Sequence, residues 1–189
     1  MKRFAVLGVA AIALVGLFAD TALAQSPHLK GRNPVSFTDN ILTLTATVSY
    51  AGLGNFDTQQ VLTARANPTA TCTNPAGATQ PPGQNPAEVE VTGATAVPAE
   101  DIKNGNVTIA TTTSPPVTPI PGAPDCPNPM WTENITDMAF TSATITLFQD
   151  SNENGMFEAG ELVLTVNCTF NSPTSNGSVP SSNFSCTTA

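Results

Sequence analysis

Histidine, basic side chains and aromatic rings are all scarce in this sequence of 189 residues. The single histidine, His28, cannot form the histidine pair that a catalytic zinc site requires. A serine or cysteine nucleophile would need His28 as its general base, held in a fixed position. His28 closely follows an N-terminal leader, however, where we expect a mobile segment. The sequence therefore argues against hydrolysis by a catalytic triad or by zinc.

Basic side chains number 6 against 14 acidic ones, which gives a formal net charge of -8. The basic residues that follow the leader are Lys30, Arg32, Arg65 and Lys103, and they are dispersed. Nucleic acids and anionic lipid surfaces are bound through clustered lysine and arginine. The sequence therefore predicts no nucleic-acid partner and no attachment to anionic membranes.

The N-terminal segment has the composition of a secretory leader. A basic pair at Lys2-Arg3 precedes an apolar stretch over 4–18, and Ala22-Leu-Ala24 fits the small-x-small cleavage rule. The apolar stretch is shorter than a membrane-spanning helix needs, and no later stretch approaches that length. We predict a signal peptide over residues 1–24 and no membrane insertion after its removal. The expected location is secreted, periplasmic or at the cell surface.

The four cysteines are Cys72, Cys126, Cys168 and Cys186. None of them forms a C-x-x-C pair, so zinc binding and thiol redox chemistry have little support. An even number of cysteines in an exported chain favours two disulfides. Cys72-Thr-Asn-Pro and Cys126-Pro-Asn-Pro share a local pattern, which favours Cys72–Cys126 and Cys168–Cys186. An immunoglobulin-like bridge between the sheets, Cys72–Cys168, is the alternative.

Apolar and polar residues alternate with a period of two over most of the chain, and no amphipathic helix follows the leader. In the segment 41–50, every second residue from Leu42 to Tyr50 is apolar, and threonine or serine stands between them. The segment 161–170 repeats the rule, with Leu162 as the first inward residue. Further strands are predicted over 59–65, 69–73, 88–92, 106–111 and 135–149.

The parity of the 135–149 strand changes at Thr141-Ser142, which predicts a β-bulge or a crossing between sheets. About seven strands, each with one polar face, predict an all-β fold: an antiparallel two-sheet sandwich of immunoglobulin-like architecture, stapled by disulfides. We expect one such domain over residues 25–189. The segment 114–129 is too rich in proline for a central strand, so we predict that it forms a proline-rich surface loop.

The residues 150–161, DSNENGMFEAGE, match the calcium-loop pattern D-x-[DN]-x-[DN]-G-x5-E at every specified position. Gly155 would supply the sharp turn and Glu161 a bidentate carboxylate. The acidic side chains of the loop would repel one another without a cation. The alternative is an acidic hairpin turn that binds no metal. We predict a structural calcium ion held by Asp150, Asn152, Asn154, the Met156 carbonyl, Glu158 and Glu161.

Two parts of the chain resemble bacterial proteins. The 150–161 loop resembles the calcium loops of repeat domains in bacterial surface proteins, although Glu158 stands where those loops often carry aspartate. A second resemblance, to small exported β-rich proteins of unassigned function, covers about half of the chain. It implies an exported β-rich domain and carries over no catalytic residue. Its strings are Gly52-Leu-Gly-Asn55, Cys72-Thr-Asn-Pro-Ala-Gly77, Pro81-Pro-Gly-Gln-Asn-Pro86, Ile102-Lys-Asn-Gly105 and Cys126-Pro-Asn-Pro-Met-Trp-Thr132.

These observations favour a non-enzymatic exported protein with a structural, adhesive or ligand-presenting role and an extracellular protein or polysaccharide as its partner. The alternative is a carbohydrate-binding or carbohydrate-active secreted protein. Glu88 and Glu90 share one outward strand face at a spacing close to that of a retaining glycosidase pair, although a solvated strand face is the ordinary interpretation. Among aromatic residues that could stack on a sugar, Tyr50 and Phe140 have inward parity, which leaves Trp131 and Phe56.

Overall fold

The fold is that of a computed structural model, which describes residues 26–80, 87–120 and 126–189. The predicted signal peptide and part of the proline-rich loop lie outside the described residues. No helix in the described ranges is long and apolar enough to cross a membrane. The strands are β1 (His28–Leu29), β2 (Val35–Asp39), β3 (Leu44–Ala51), β4 (Thr58–Thr73), β5 (Thr79–Gln80), β6 (Val89–Val97), β7 (Val107–Thr112), β8 (Thr132–Gln149), β9 (Leu162–Phe170), β10 (Gly177–Val179) and β11 (Phe184–Thr188).

The strands form two antiparallel sheets that pack as a sandwich. In the first sheet β3 pairs with β1, β2 and β7, and β10 pairs with β2. In the second sheet the order is β11-β9-β8-β4, and both β5 and β6 pair with β4. The predicted all-β, two-sheet antiparallel fold is confirmed.

The predicted alternation places one face of each sheet in the core. Every second residue from Leu44 to Tyr50 is fully buried. Phe37 of the first sheet packs edge-to-face against Phe170 and Phe184 of the second, with ring centroids 5.1 and 5.0 Å apart. Aromatic pairs in this geometry add to the stability that burial of their area provides. The core is therefore continuous between the two sheets.

The parity change predicted within 135–149 is a β-bulge. The register of β4 against β8 shifts after Arg65, and Thr141 is left without a partner between Phe140 and Ser142. Phe140 and Ala143 are consequently both buried although three positions separate them. The alternative of a crossing between sheets is wrong, because β8 stays in one sheet along its whole length.

The strands predicted over 59–65 and 69–73 are a single strand, β4. The sequence separates them at Asn67-Pro68, because an Asn-Pro pair usually marks a turn. Among the described residues, β4 pairs with β6 only as far as Ala66 and with β5 only from Cys72. The middle of β4 therefore has β8 as its one neighbour, and a proline, which has no N–H to donate, is tolerated at such an edge.

The strand predicted over 161–170 begins one residue later. Glu161 closes the 3-10 turn Ala159–Glu161 instead of starting the strand. Leu162, predicted to point inward, is 44 % exposed. That prediction is wrong because the register of β8 against β9 shifts between Leu147 and Phe148. After the shift, the side chains predicted to point inward do so: Val166, Cys168 and Phe170 are buried.

Both favoured disulfides are present. Cys72 is bonded to Cys126 and Cys168 to Cys186, so the alternative Cys72–Cys168 bridge is wrong. Cys168 and Cys186 also face each other directly in the ladder between β9 and β11. Two disulfides indicate that the chain folds in an oxidising compartment.

The two sheets approach each other closely where β6 meets β7. The Ser114 N–H donates a hydrogen bond to the Thr92 carbonyl at 2.8 Å. A Cβ atom at Gly93 would lie 2.0 Å from the Thr112 carbonyl oxygen. Only glycine permits this approach of the two backbones.

Candidate metal centre at the 150–161 loop

The 150–161 loop connects β8 to β9 at one end of the sandwich. Thr58 pairs with Gln149 in the ladder between β4 and β8, which brings the start of the loop beside the residue that precedes β4. The Asp150 N–H donates to the Asp57 carbonyl at 2.9 Å. The entrance of the loop is therefore fixed by a long-range contact.

Asp150, the first predicted ligand, is only 4 % exposed. One of its carboxylate oxygens accepts the Asn154 N–H at 3.0 Å and the other accepts the Gly155 N–H at 2.7 Å. Gly155 has φ 77, a left-handed conformation that glycine adopts without a steric penalty. Gly155 therefore forms the turn that the sequence pattern predicts.

The two asparagines of the pattern organise the middle of the loop. Asn152 Oδ1 accepts the Asn154 N–H at 3.0 Å, and Asn154 Oδ1 accepts the Met156 N–H at 2.8 Å. An amide oxygen has two lone pairs, so each keeps one acceptor position. Both side chains thus stabilise the turn and can still offer an oxygen to a cation.

Glu161, at the far end of the pattern, is 6 % exposed. Its Oε1 accepts the Asn152 N–H at 3.3 Å and lies 3.4 Å from the Ser151 hydroxyl, which donates to it. Its Oε2 accepts the Glu158 N–H at 3.2 Å. The carboxylate of Glu161 therefore folds back over the loop and closes it.

The four acidic side chains of the loop divide into two kinds. Asp150 and Glu161 are buried, whereas Glu153 and Glu158 are exposed. Glu158, a predicted ligand, contributes its backbone N–H to the loop. The structure therefore does not bring all four carboxylates together inside the loop.

Among the described residues, neither Asp150 nor Glu161 has a basic partner. The ion pairs among the described residues are both made by Arg65, on the outer face of the second sheet. The same part of the chain contains no group of three or more His, Cys, Asp or Glu side chains arranged to hold a metal ion. A cation in this loop would therefore rely on amide and carbonyl oxygens besides its two buried carboxylates, a donor set that suits calcium.

Asp57 is the residue at this site that sequence reasoning missed. A small open cavity of about 190 Å³ beside the loop is lined by Asp57, Ala96, Val97, Pro98, Asp150, Gly155 and Phe157. The Asp57 carboxylate accepts the Ala99 N–H at 2.8 Å. Its nearness to the loop depends on the pairing of β4 with β8, which no local pattern reveals.

The other residues considered for catalysis lie apart from this site. Glu88 and Glu90 both contact Arg65, at 3.6 and 3.2 Å, so the predicted outward pair belongs to a surface ion-pair cluster. His28 lies in the two-residue strand β1, where it pairs with Ala51. Its Nδ1 lies 2.7 Å from the Ser26 carbonyl oxygen.

An open groove of about 670 Å³ lies on the outer face of the second sheet, at the far end of the β4–β8 ladder. Of the aromatic residues proposed for sugar stacking, Tyr50 and Phe140 are fully buried, which confirms their inward parity. Trp131 is half-buried and does not line the groove. The groove is lined by Thr71, Thr73, Asn74, Pro75, Thr79, Met130, Thr132, Asn134 and Thr136.

Comparison of the chain with protein-family models, with curated protein sequences and with solved structures found no match.

Proposed function

We propose that this protein is an exported, non-enzymatic β-sandwich with a structural or adhesive role at or beyond the cell surface. Its 150–161 loop binds one calcium ion, and that ion is structural. The two disulfides support an oxidising location. The resemblance of the loop to calcium loops of bacterial surface proteins supports the proposed setting.

The observation that carries the calcium proposal is the burial of Asp150 and Glu161 without a counter-charge from any residue that the structure describes. They are 4 % and 6 % exposed and accept hydrogen bonds from backbone N–H groups and one hydroxyl. Removal of two carboxylates from water is costly unless they are paired. A divalent cation would supply that pairing, and Asn152, Asn154 and the Met156 carbonyl would complete its oxygen ligands.

Binding to the folded state alone stabilises that state by RT ln(1 + [L]/Kd). At a free calcium concentration about ten times Kd, the gain is about 1.4 kcal/mol. For a chain of this size, that gain raises the melting midpoint by a few degrees. Magnesium should give a smaller rise, because it gives up its water ligands less readily.

The test is the melting midpoint with and without calcium for the protein and two isosteric variants, Asp150→Asn and Glu161→Gln. Both variants should lose the calcium-dependent rise. Glu153→Gln is the matched control: it removes the same charge from an exposed side chain of the same loop, and it should keep the full rise. An unchanged midpoint of the unsubstituted protein in several millimolar calcium would refute the proposal.

A second candidate function, binding of a neutral carbohydrate, is favoured by the open groove on the second sheet. Its lining is rich in hydroxyl and amide groups and contains no titratable side chain. Several of these groups are already fixed: Asn134 Nδ2 donates to the Thr73 hydroxyl at 3.0 Å, and the hydroxyls of Thr73 and Thr79 lie 3.1 Å apart. Pre-oriented polar groups of this kind suit the hydroxyls of a sugar.

Retention on a panel of neutral polysaccharides tests this second function. Thr132→Val and Asn134→Ala should abolish retention, and Thr165→Val, a substitution in β9 outside the groove, should not. Retention that all three variants keep would place any sugar binding elsewhere on the surface.

A further inference from the structure

The sequence contains three Asn-Gly pairs: Asn104-Gly105, Asn154-Gly155 and Asn176-Gly177. In such a pair the glycine nitrogen can attack the side-chain amide carbon of the asparagine and close a five-membered cyclic imide. The attack is easier before glycine than before other residues, because glycine has no side chain to obstruct the approach. Since all three pairs share this reactivity, a difference between them arises from their surroundings in the fold.

The pair Asn154-Gly155 has hydrogen-bond partners at both groups that take part in the attack. The Gly155 N–H donates to Asp150 Oδ2 at 2.7 Å, so a carboxylate lies within reach of the proton that the nitrogen must lose. Asn154 Oδ1 accepts the Met156 N–H at 2.8 Å. This donor stabilises the negative charge that develops on the oxygen when the amide carbon is attacked.

The same hydrogen bond to Met156 sets the orientation of the Asn154 side chain. An asparagine side chain that bonds the backbone N–H two residues further on is folded over the peptide between them. The nitrogen of Gly155 belongs to that peptide. The amide of Asn154 is therefore turned towards the nitrogen that attacks it, and not out into the solvent.

The other two pairs have different surroundings. Asn104-Gly105 forms the tight turn before β7, and Gly177 is the first residue of β10. Within the part of the chain that the structure describes, no carboxylate accepts the N–H of Gly105 or Gly177. The side-chain oxygens of Asn104 and Asn176 accept no hydrogen bond there either. These two pairs therefore serve as internal references for the third.

We propose that Asn154-Gly155 is a self-modification site, at which the metal-free loop converts Asn154 to aspartate and isoaspartate. The Gly155 nitrogen forms a bond to Asn154 Cγ, and its proton passes to the Asp150 carboxylate. The bond from Cγ to Nδ2 then breaks, and the leaving nitrogen takes the proton back and departs as ammonia. Water opens the cyclic imide at either of its two carbonyl groups, which gives the two products.

The two products change the loop in different ways. Aspartate in place of Asn154 adds a carboxylate at a position where the calcium-loop pattern accepts either residue. Isoaspartate leads the backbone through the former side chain and lengthens it by one methylene group. The N–H groups of Gly155 and Met156 then no longer reach their present acceptors, and the turn is lost.

The effect of calcium rests on the proposed function, in which Asp150 and Asn154 are ligands of the ion. A cation bound to the Asp150 carboxylate weakens it as a proton acceptor. A cation bound to Asn154 Oδ1 holds the amide in place, so that its carbon cannot move onto the Gly155 nitrogen. Calcium should therefore suppress the modification, and the modified fraction records the time that the loop spends without calcium.

The experiment follows the modification of the whole protein at neutral pH, in chelator and in saturating calcium. Mass spectrometry of proteolytic peptides measures the modified fraction at each of the three pairs over time. In chelator, Asn154 should be modified about tenfold faster than Asn104 and Asn176, or more, because a positioned proton acceptor contributes at least that factor. In urea, which unfolds the chain, the three rates should become similar.

Asp150→Asn removes the proton acceptor and keeps its size, so Asn154 should react as slowly as the two reference pairs. Glu153→Gln is the matched control, because it removes the same charge from an exposed side chain next to Asn154. It should leave the rate unchanged. The proposal is refuted if Asn154 in the folded, chelated protein reacts no faster than the reference pairs or more slowly than in urea. An unchanged rate in a folded Asp150→Asn variant would also refute it.

Calcium separates this proposal from the proposed function. Suppression at Asn154 alone, with unchanged rates at Asn104 and Asn176, supports both. If Asn154 reacts fast and depends on Asp150 but calcium leaves its rate unchanged, the self-modification site stands and the calcium site is wrong.

Discussion

Removal of the Cys72–Cys126 disulfide should destabilise the protein more than removal of Cys168–Cys186. The two bridges close loops with sequence separations of 54 and 18 residues. In the chain-entropy model these separations correspond to about 4.2 and about 3.2 kcal/mol at 25 °C. The expected difference of about 1 kcal/mol arises in the unfolded state, where the longer loop restricts the chain more.

The folded state adds little to this difference. Each bridge has one buried cysteine, Cys72 or Cys168, and one partly exposed cysteine. Paired Cys→Ala substitutions therefore leave cavities of similar size, and each variant keeps the other disulfide. Cys168 and Cys186 also lie opposite each other in the ladder of β9 and β11, so strand pairing persists when their bridge is removed.

Urea unfolding followed by circular dichroism measures the effect directly. Both paired variants should show a lower midpoint and a larger m value, since a released unfolded chain exposes more surface. A larger loss for the Cys168–Cys186 variant, or no loss for the Cys72–Cys126 variant, would contradict the reasoning from loop length.

Two further substitutions test the core. Gln149 is 1 % exposed, and both polar atoms of its side chain lack hydrogen-bond partners within the described ranges of the chain, so Gln149→Leu should raise the free energy of unfolding by about 1–3 kcal/mol. A lower free energy of unfolding would show that the amide is hydrogen-bonded in solution. Gly93→Ala should cost about 1–3 kcal/mol because its Cβ would lie 2.0 Å from the Thr112 carbonyl oxygen. Gly160→Ala, where a Cβ meets nothing within 4 Å, is its control and should be nearly neutral.

The period-two alternation predicted the fold class because burial of one strand face is a local property of the sequence. It identified the core positions of β3 and the bulge in β8. It missed β2, in which Val35 and Phe37 alternate with polar residues. The third buried position of this strand is Asp39, and an acid is expected to be exposed. It also missed β11, a short strand in which only Phe184 and Cys186 alternate with polar residues and which is positioned by pairing with β9.

The candidate site was predictable to the extent that its geometry is local. The turn at Gly155 and the closing position of Glu161 follow from the order of residues in the motif, and the structure has both. The exposure of Glu153 and Glu158 was not predictable, because the alternation of inward and outward side chains holds only within a strand and these residues lie in a loop. The position of Asp57 follows from the pairing of β4 with β8 over a long sequence separation.

The most direct test of calcium binding is a calorimetric titration of the protein with calcium after treatment with a chelator. We expect one binding event per chain, with a dissociation constant of about 10⁻⁴ to 10⁻³ M, the range of extracellular calcium sites. Glu161→Gln should remove the heat of binding and Glu153→Gln should leave it intact. Absence of any heat in the unsubstituted protein at millimolar calcium, together with an unchanged spectrum of the loop amides by NMR, would show that residues 150–161 form an acidic turn without a metal.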